Sequence, residues 1–101
     1  MTSKASTLAV ALVVALASTA CGEPPISADD EAFAAVEAGW QCQVGRRAFA
    51  DFAAIETART EFVTSTNLTM ERYIDGVKEL PDRPALRALV ADGVRQRCGS
   101  D

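Results

Sequence analysis

The chain reads as an all-α protein, a small helical bundle that follows an apolar leader and a short proline-containing linker. Three observations carry that reading. From residue 33 onward the apolar residues recur at spacings of three and four rather than in alternation, which is the period of a helix with one buried face. No proline falls between residues 29 and 65, so nothing in that stretch removes a helical hydrogen bond. Serine, threonine, aspartate and glycine stand where helix ends need them. At 101 residues the chain has room for one small domain.

Met1 to Thr7 carries a single charge, Lys4, and is followed by ten uninterrupted apolar residues, Leu8 to Ala17, and then by Ser18, Thr19 and Ala20. This is the order of a secretory signal. Crossing a bilayer takes about 20 apolar residues, and the run here is half of that. Residues 1–20 are therefore expected to be a cleaved signal peptide, with the mature chain starting at Cys21. Lys4 is one of 10 basic residues set against 14 acidic ones, so its removal leaves a more acidic chain. Such a surface repels phosphate backbones, and no nucleic-acid partner is expected.

The chain has three cysteines, Cys21, Cys42 and Cys98, and an odd count in an exported protein requires an explanation for the third. Ser18-Thr19-Ala20-Cys21 resembles the lipobox of bacterial lipoproteins, with Thr19 and Ala20 fitting the positions before the cysteine and Ser18 standing where a bulky apolar residue is usual. That resemblance implies lipidation of Cys21 and a membrane anchor of two acyl chains, palmitate-like in length, on the outer face of the cell membrane. Ser18 and Ala20 also satisfy the small-x-small rule of ordinary signal cleavage, which would release a soluble secreted protein. Parity favours the anchor, because it leaves Cys42 and Cys98 to pair with each other.

Residues 21–28 form the anchored cysteine and linker. Gly22-Glu23-Pro24-Pro25-Ile26-Ser27 reads as an extended, semi-rigid tether. The helical domain occupies 29–101. Ser27 is expected to cap its first helix, with Asp29, Asp30 and Glu31 in the first turn where the helix dipole favours negative charge. Phe33, Val36, Trp40 and Val44 make one stripe; Cys42, Phe49, Phe52 and Ile55 make an adjoining one that ends near Phe62 and Val63. The stretch from 29 to 65 is thus expected to be helical throughout, as one long, kinked helix or as two, with Gly39 and Gly45 the places for a bend or break. Trp40, the only tryptophan, is expected to pack in the core beside Cys42, with ligand stacking as the functional alternative. Arg46 and Arg47 are the basic pair on this stretch: Arg47 is expected to pair with Asp51, and both are candidate partner contacts.

Thr69 is placed to cap the next helix, with Leu68 and Tyr73 as its hydrophobic staple, and that helix runs to about Glu79. Leu80-Pro81-Asp82 breaks the chain, with Asp82 expected as N-cap of the last helix and Pro84 in its first turn. Leu86, Leu89, Val90, Val94 and Cys98 form the stripe of that helix, Arg95 and Arg97 meet the negative end of its dipole, and Gly99 takes the C-terminal cap. Cys98 therefore faces inward, and Cys42 is its available partner. Closing that loop would stabilise the fold by roughly 4 kcal/mol. Redox chemistry is the alternative, but neither cysteine lies at a helix start, where the dipole would lower a thiol pKa.

Catalytic readings lack their usual parts. The sequence contains no histidine, so the common general base and the common triads are missing. Lys78 is the only lysine beyond the leader, and no phosphate-binding glycine loop, haem-attachment motif or zinc spacing is present. Helix-start acids account for Asp29, Asp30 and Glu31 without a metal. No catalytic residue, cofactor or metal is expected, and the chain is not expected to be an enzyme. The alanine- and arginine-rich usage, the Cys21 start, Trp40-x-Cys42 and the late Arg97-Cys98 are similar to short helical exported lipoproteins of high-GC Gram-positive bacteria, whose roles are mostly unassigned. That resemblance implies a small non-catalytic helical domain at the cell surface and carries no functional site with it. The function expected is a membrane-tethered interaction module that meets an envelope protein; the alternative is a soluble small-ligand binder or minor enzyme with a site near Trp40.

Overall fold

Ser27 opens the first helix by a reciprocal cap: the Asp30 amide donates to Ser27 Oγ at 3.1 Å, and the Ser27 amide donates to Asp30 Oδ2 at 3.0 Å, which satisfies two amides that have no partner inside the helix. The helix that follows, α1, spans Ala28–Val44. The computed structural model describes residues 22–44 and 47–99; the expected signal peptide at 1–20, the lipidation site Cys21, and Gly45 and Arg46 lie outside them. Among the described residues the fold is all-α, with three further helices, α2 (Phe52–Thr64), α3 (Met70–Glu79) and α4 (Pro84–Cys98), and a short 3-10 turn at Leu80–Asp82 that joins α3 to α4.

The stretch from 29 to 65 is two helices, not a single kinked one. α1 stops at Val44, directly before Gly45, and α2 starts only at Phe52, with Asp51 as its N-cap: the backbone there is extended, and the Asp51 carboxylate accepts from the Ala54 amide at 2.8 Å. The expected pairing of Arg47 with Asp51 is therefore corrected. With no helix between them the two residues are not one turn apart, Asp51 is engaged by its own helix, and Arg47 lies 5.7 Å over the Phe49 ring. Phe49 packs from a loop, and Phe52, expected in the core stripe, is 74% exposed.

The core joins Phe33 and Ala34 of α1, Val63 of α2, Tyr73 of α3, and Leu86 and Val90 of α4. α2 returns antiparallel along α1, bringing Phe62 to Gly39 and Trp40. α3 crosses α1 where Gly76 meets Phe33; a Cβ on Gly76 would lie 2.3 Å from the Phe33 ring. Thr69 caps α3 as expected, accepting from the Arg72 amide at 3.2 Å.

α4 runs parallel to α1. Asp30 and Arg83 meet near the two N-termini, Ala38 lies against Gly93 midway, and Cys42 and Cys98 form a disulfide near the two C-termini, with Cα atoms 5.7 Å apart. Gly99 ends α4 with a positive φ of 80° and donates to the Arg95 carbonyl, a conformation that favours glycine. No described helix is long and apolar enough to cross a membrane.

The expected N-cap of α4 is corrected as well. Asp82 belongs to the 3-10 turn, and Arg83 occupies the cap position without a side-chain cap. Because Pro84 has no amide hydrogen, the first free donors are Ala85 and Leu86, and both turn to Glu23: its carboxylate accepts from Ala85 at 2.8 Å and from Leu86 at 3.3 Å. The cap comes from the linker. The Gly22–Ser27 segment bends at Gly22, where φ is 85°, and carries no helix or strand; it lies along the domain, and Ile26 packs against the core.

Candidate functional site

Trp40 sits on the inner face of α1 and is 2% exposed. Its indole is enclosed by Phe49, with ring centres 6.3 Å apart, by Phe62 at 6.0 Å, and by the Arg59 guanidinium 5.4 Å from the ring centre. This is the core role expected for it. With so little of the side chain exposed, an aromatic ligand has no open indole face on which to stack.

Beside Trp40 an open groove of about 530 Å³ runs between α1 and α2. Trp40, Val44 and Ile55 line its apolar wall, Phe52 stands at its edge, and Glu37, Gln41 and Arg59 line the rest. Two of those polar groups are already satisfied. Glu37 is 8% exposed; it accepts from the Tyr73 hydroxyl at 2.5 Å and from Gln41 Nε2 at 2.9 Å. Burial pushes the Tyr73 hydroxyl well above the ordinary phenol range, and the hydrogen bond to Glu37 adds to that rise. Arg59 lies on the other side of the Tyr73 hydroxyl, where its charge opposes that rise. Its Nε is buried without a hydrogen-bond partner, and among the described residues no carboxylate lies within ion-pair distance of it. An exposed aromatic edge beside a cation with spare donors can bind an apolar group next to an anionic oxygen.

Two smaller hollows lack that combination. One, of about 190 Å³, lies between α1 and α4 around Ala35 and Gly93. The other, of about 370 Å³, lies beside Leu68 and is closed at one side by the Arg72–Asp29 ion pair at 3.0 Å.

The second polar centre is structural. Arg83 is 7% exposed, and its guanidinium makes five hydrogen bonds: Nη1 and Nη2 to the two oxygens of Asp30 at 2.9 and 3.0 Å, Nη1 to Glu79 at 3.2 Å, Nε to Glu23 at 3.3 Å, and Nη2 to the Pro24 carbonyl at 3.3 Å. The bidentate bond from Arg83 holds the Asp30 carboxyl below the usual carboxylate range, and the bonds from Ser27 act in the same direction. Of the acids at the start of α1, Asp29 thus pairs with Arg72 and Asp30 with Arg83.

Of the candidate contacts named from the sequence, Trp40 forms the groove wall, Arg47 lies in the exposed loop ahead of α2, and Arg46 is outside the described residues. Cys42 and Cys98 are joined at the far end of α1 and α4. Sequence reasoning missed Glu37, Arg59, Phe52 as an exposed residue, and the whole Arg83 centre. A signal for Arg59 existed: it lies on α2, seven positions from Phe52, about two helical turns and hence on the same face. Glu37 also offered one: it stands between Val36 and Ala38, four residues after Phe33 and three before Trp40, on the stripe expected in the core. No protein-family model, curated protein or solved structure matches the chain.

Proposed function

We propose that this chain is an exported, membrane-tethered interaction module without catalytic activity, of the kind its resemblance to small Gram-positive lipoproteins implies: its signal peptide is removed, Cys21 carries the lipid, and the helical domain docks a segment of an envelope protein. The observation that supports the docking role is the groove beside Trp40. Phe52 at its edge is 74% exposed, in a small domain whose other large apolar side chains are mostly covered, and apolar surface of this kind marks contact sites. Arg59 supplies the polar half of the recognition. The partner segment carries a large apolar side chain, which covers Phe52 and Ile55, next to a carboxylate, which accepts from Arg59. Charge agrees with this assignment: an arginine with no carboxylate partner among the described residues attracts an anionic group locally, while the acidic chain as a whole repels polyanions.

The test is photo-crosslinking in the native host with p-benzoylphenylalanine in place of Phe52, which keeps an aromatic group at the edge. One discrete protein adduct is expected, and Arg59→Gln should weaken it several-fold. Absence of an adduct, or an adduct indifferent to Arg59→Gln, would overturn the docking role. The intact mass of the protein recovered from the membrane fraction tests the anchor separately: a diacylglyceryl increment on a chain starting at Cys21 is expected, and an unmodified chain refutes it.

A further inference from the structure

The segment that joins the anchor position to the domain has no freedom to act as a tether. Glu23 accepts from the Ala85 and Leu86 amides and from Arg83 Nε, while the Pro24 carbonyl accepts from Arg83 Nη2. Arg83 is in turn fixed by Asp30 and Glu79. The linker is thereby bound to the start of α1, the end of α3 and the start of α4 at once. We infer that this clamp sets how the anchored protein stands: the end bearing Arg83 and the Leu80–Asp82 turn faces the bilayer, and the Phe52 groove is held at the opposite end, open to a protein rather than to lipid. The inference rests on the lipid attachment at Cys21 proposed above.

Two lengths decide the orientation. Cys21 is two residues from Glu23, and at 3.8 Å per Cα step an anchor there lies no more than about 8 Å of chain from the clamp. Along α1, at 1.5 Å per residue, the groove extends from Glu37, about 11 Å from Asp30, to Val44, about 21 Å from it, so it lies beyond the clamp as seen from the anchor. α1 and α4 are parallel and joined at both ends, by the Arg83 clamp and by the Cys42–Cys98 disulfide. The anchor end and the groove end therefore cannot change places by a hinge between these helices.

The experiment uses the mature chain with its disulfide closed, coupled through Cys21 to a maleimide-headgroup lipid in vesicles of phosphatidylcholine and phosphatidylglycerol doped with a gadolinium-chelate lipid, and reads amide relaxation residue by residue. Several-fold stronger enhancement is expected at Ala85–Arg87 than at Phe52–Arg59. Glu23→Ala, which removes the linker's bonds to Arg83 Nε and to the Ala85 and Leu86 amides but leaves Pro24 on Arg83 and Arg83 its pairs with Asp30 and Glu79, should weaken that gradient. Equal or stronger enhancement at Phe52–Arg59 in the unsubstituted chain would overturn the inference, and so would a gradient that Glu23→Ala leaves intact. Because the lipid is attached chemically, this outcome is independent of whether the host lipidates Cys21, which the intact mass reports.

Discussion

At the scale of single residues, the pairing of Tyr73 with Glu37 is what makes a buried acid tolerable. A carboxylate left without donors in the core costs far more than one that accepts two hydrogen bonds. Tyr73→Phe keeps the ring packing against Phe33 but removes the hydroxyl that donates to Glu37, and a loss of about 1–3 kcal/mol in urea unfolding is expected. An unchanged midpoint would mean that Gln41 alone satisfies Glu37. The pH dependence follows from the direction of the Tyr73 shift. Its ionisation is raised in the fold, so the associated stability is fully present below the ordinary phenol value near 10 and is lost as pH rises towards the folded value. The chain has one tyrosine, which makes this directly visible: phenolate absorbance is expected to appear only together with loss of helix, and phenolate forming near pH 10 in an intact fold would contradict the buried hydroxyl.

At the scale of elements, the crossing of α3 over α1 depends on Gly76. Alanine is favoured over glycine in a helix interior by about 1 kcal/mol, so Gly76→Ala would stabilise an isolated α3. In the bundle its Cβ would meet the Phe33 ring at 2.3 Å, inside any tolerable contact, and α3 or Phe33 must move. Overpacking of this kind costs about 1–3 kcal/mol, so net destabilisation is expected, read as a lower melting temperature. A variant more stable than the parent would show that the two helices are not held at this distance. The start of α2 shows the converse situation, in which one side chain supplies the element's boundary: Asp51 caps it.

At the scale of the whole molecule, α1 and α4 are joined by a covalent bond at one end and an ionic centre at the other. A chain this small has a thin core, and each join is a large part of its stability. The double variant Cys42→Ser, Cys98→Ser is expected to lose roughly 4 kcal/mol, with melting under reducing and oxidising conditions becoming identical. Acid acts on the other end. Asp30 is held below the usual carboxylate range, so its contribution is complete above the ordinary value near 3.9 and disappears as pH falls through the lower folded value. The chain should therefore lose stability on acidification below about pH 4, and Arg83→Gln should lose much of that dependence while being less stable at neutral pH. Equal acid sensitivity in the two would remove Arg83 from the explanation.

What the amino-acid sequence determined by itself is local: the helical class from the apolar period, the caps at Ser27, Thr69 and Gly99, the break at Leu80–Asp82, and the stripe that turns Cys98 inward. Each of these is specified within a few residues and needs no knowledge of neighbours in space. Only the tertiary structure decided that α1 and α2 are separate helices, that Phe52 faces outward, and that Glu23 rather than Asp82 caps α4. It also decided that Arg59 and Glu37 come together beside Trp40, and that Arg83 gathers acids from the linker, α1 and the end of α3. Glu23 lies some 60 positions before Arg83, and Glu37 lies 36 before Tyr73; a polar side chain with a distant partner carries no mark of it in sequence, because its burial and its hydrogen bond exist only once the helices have packed.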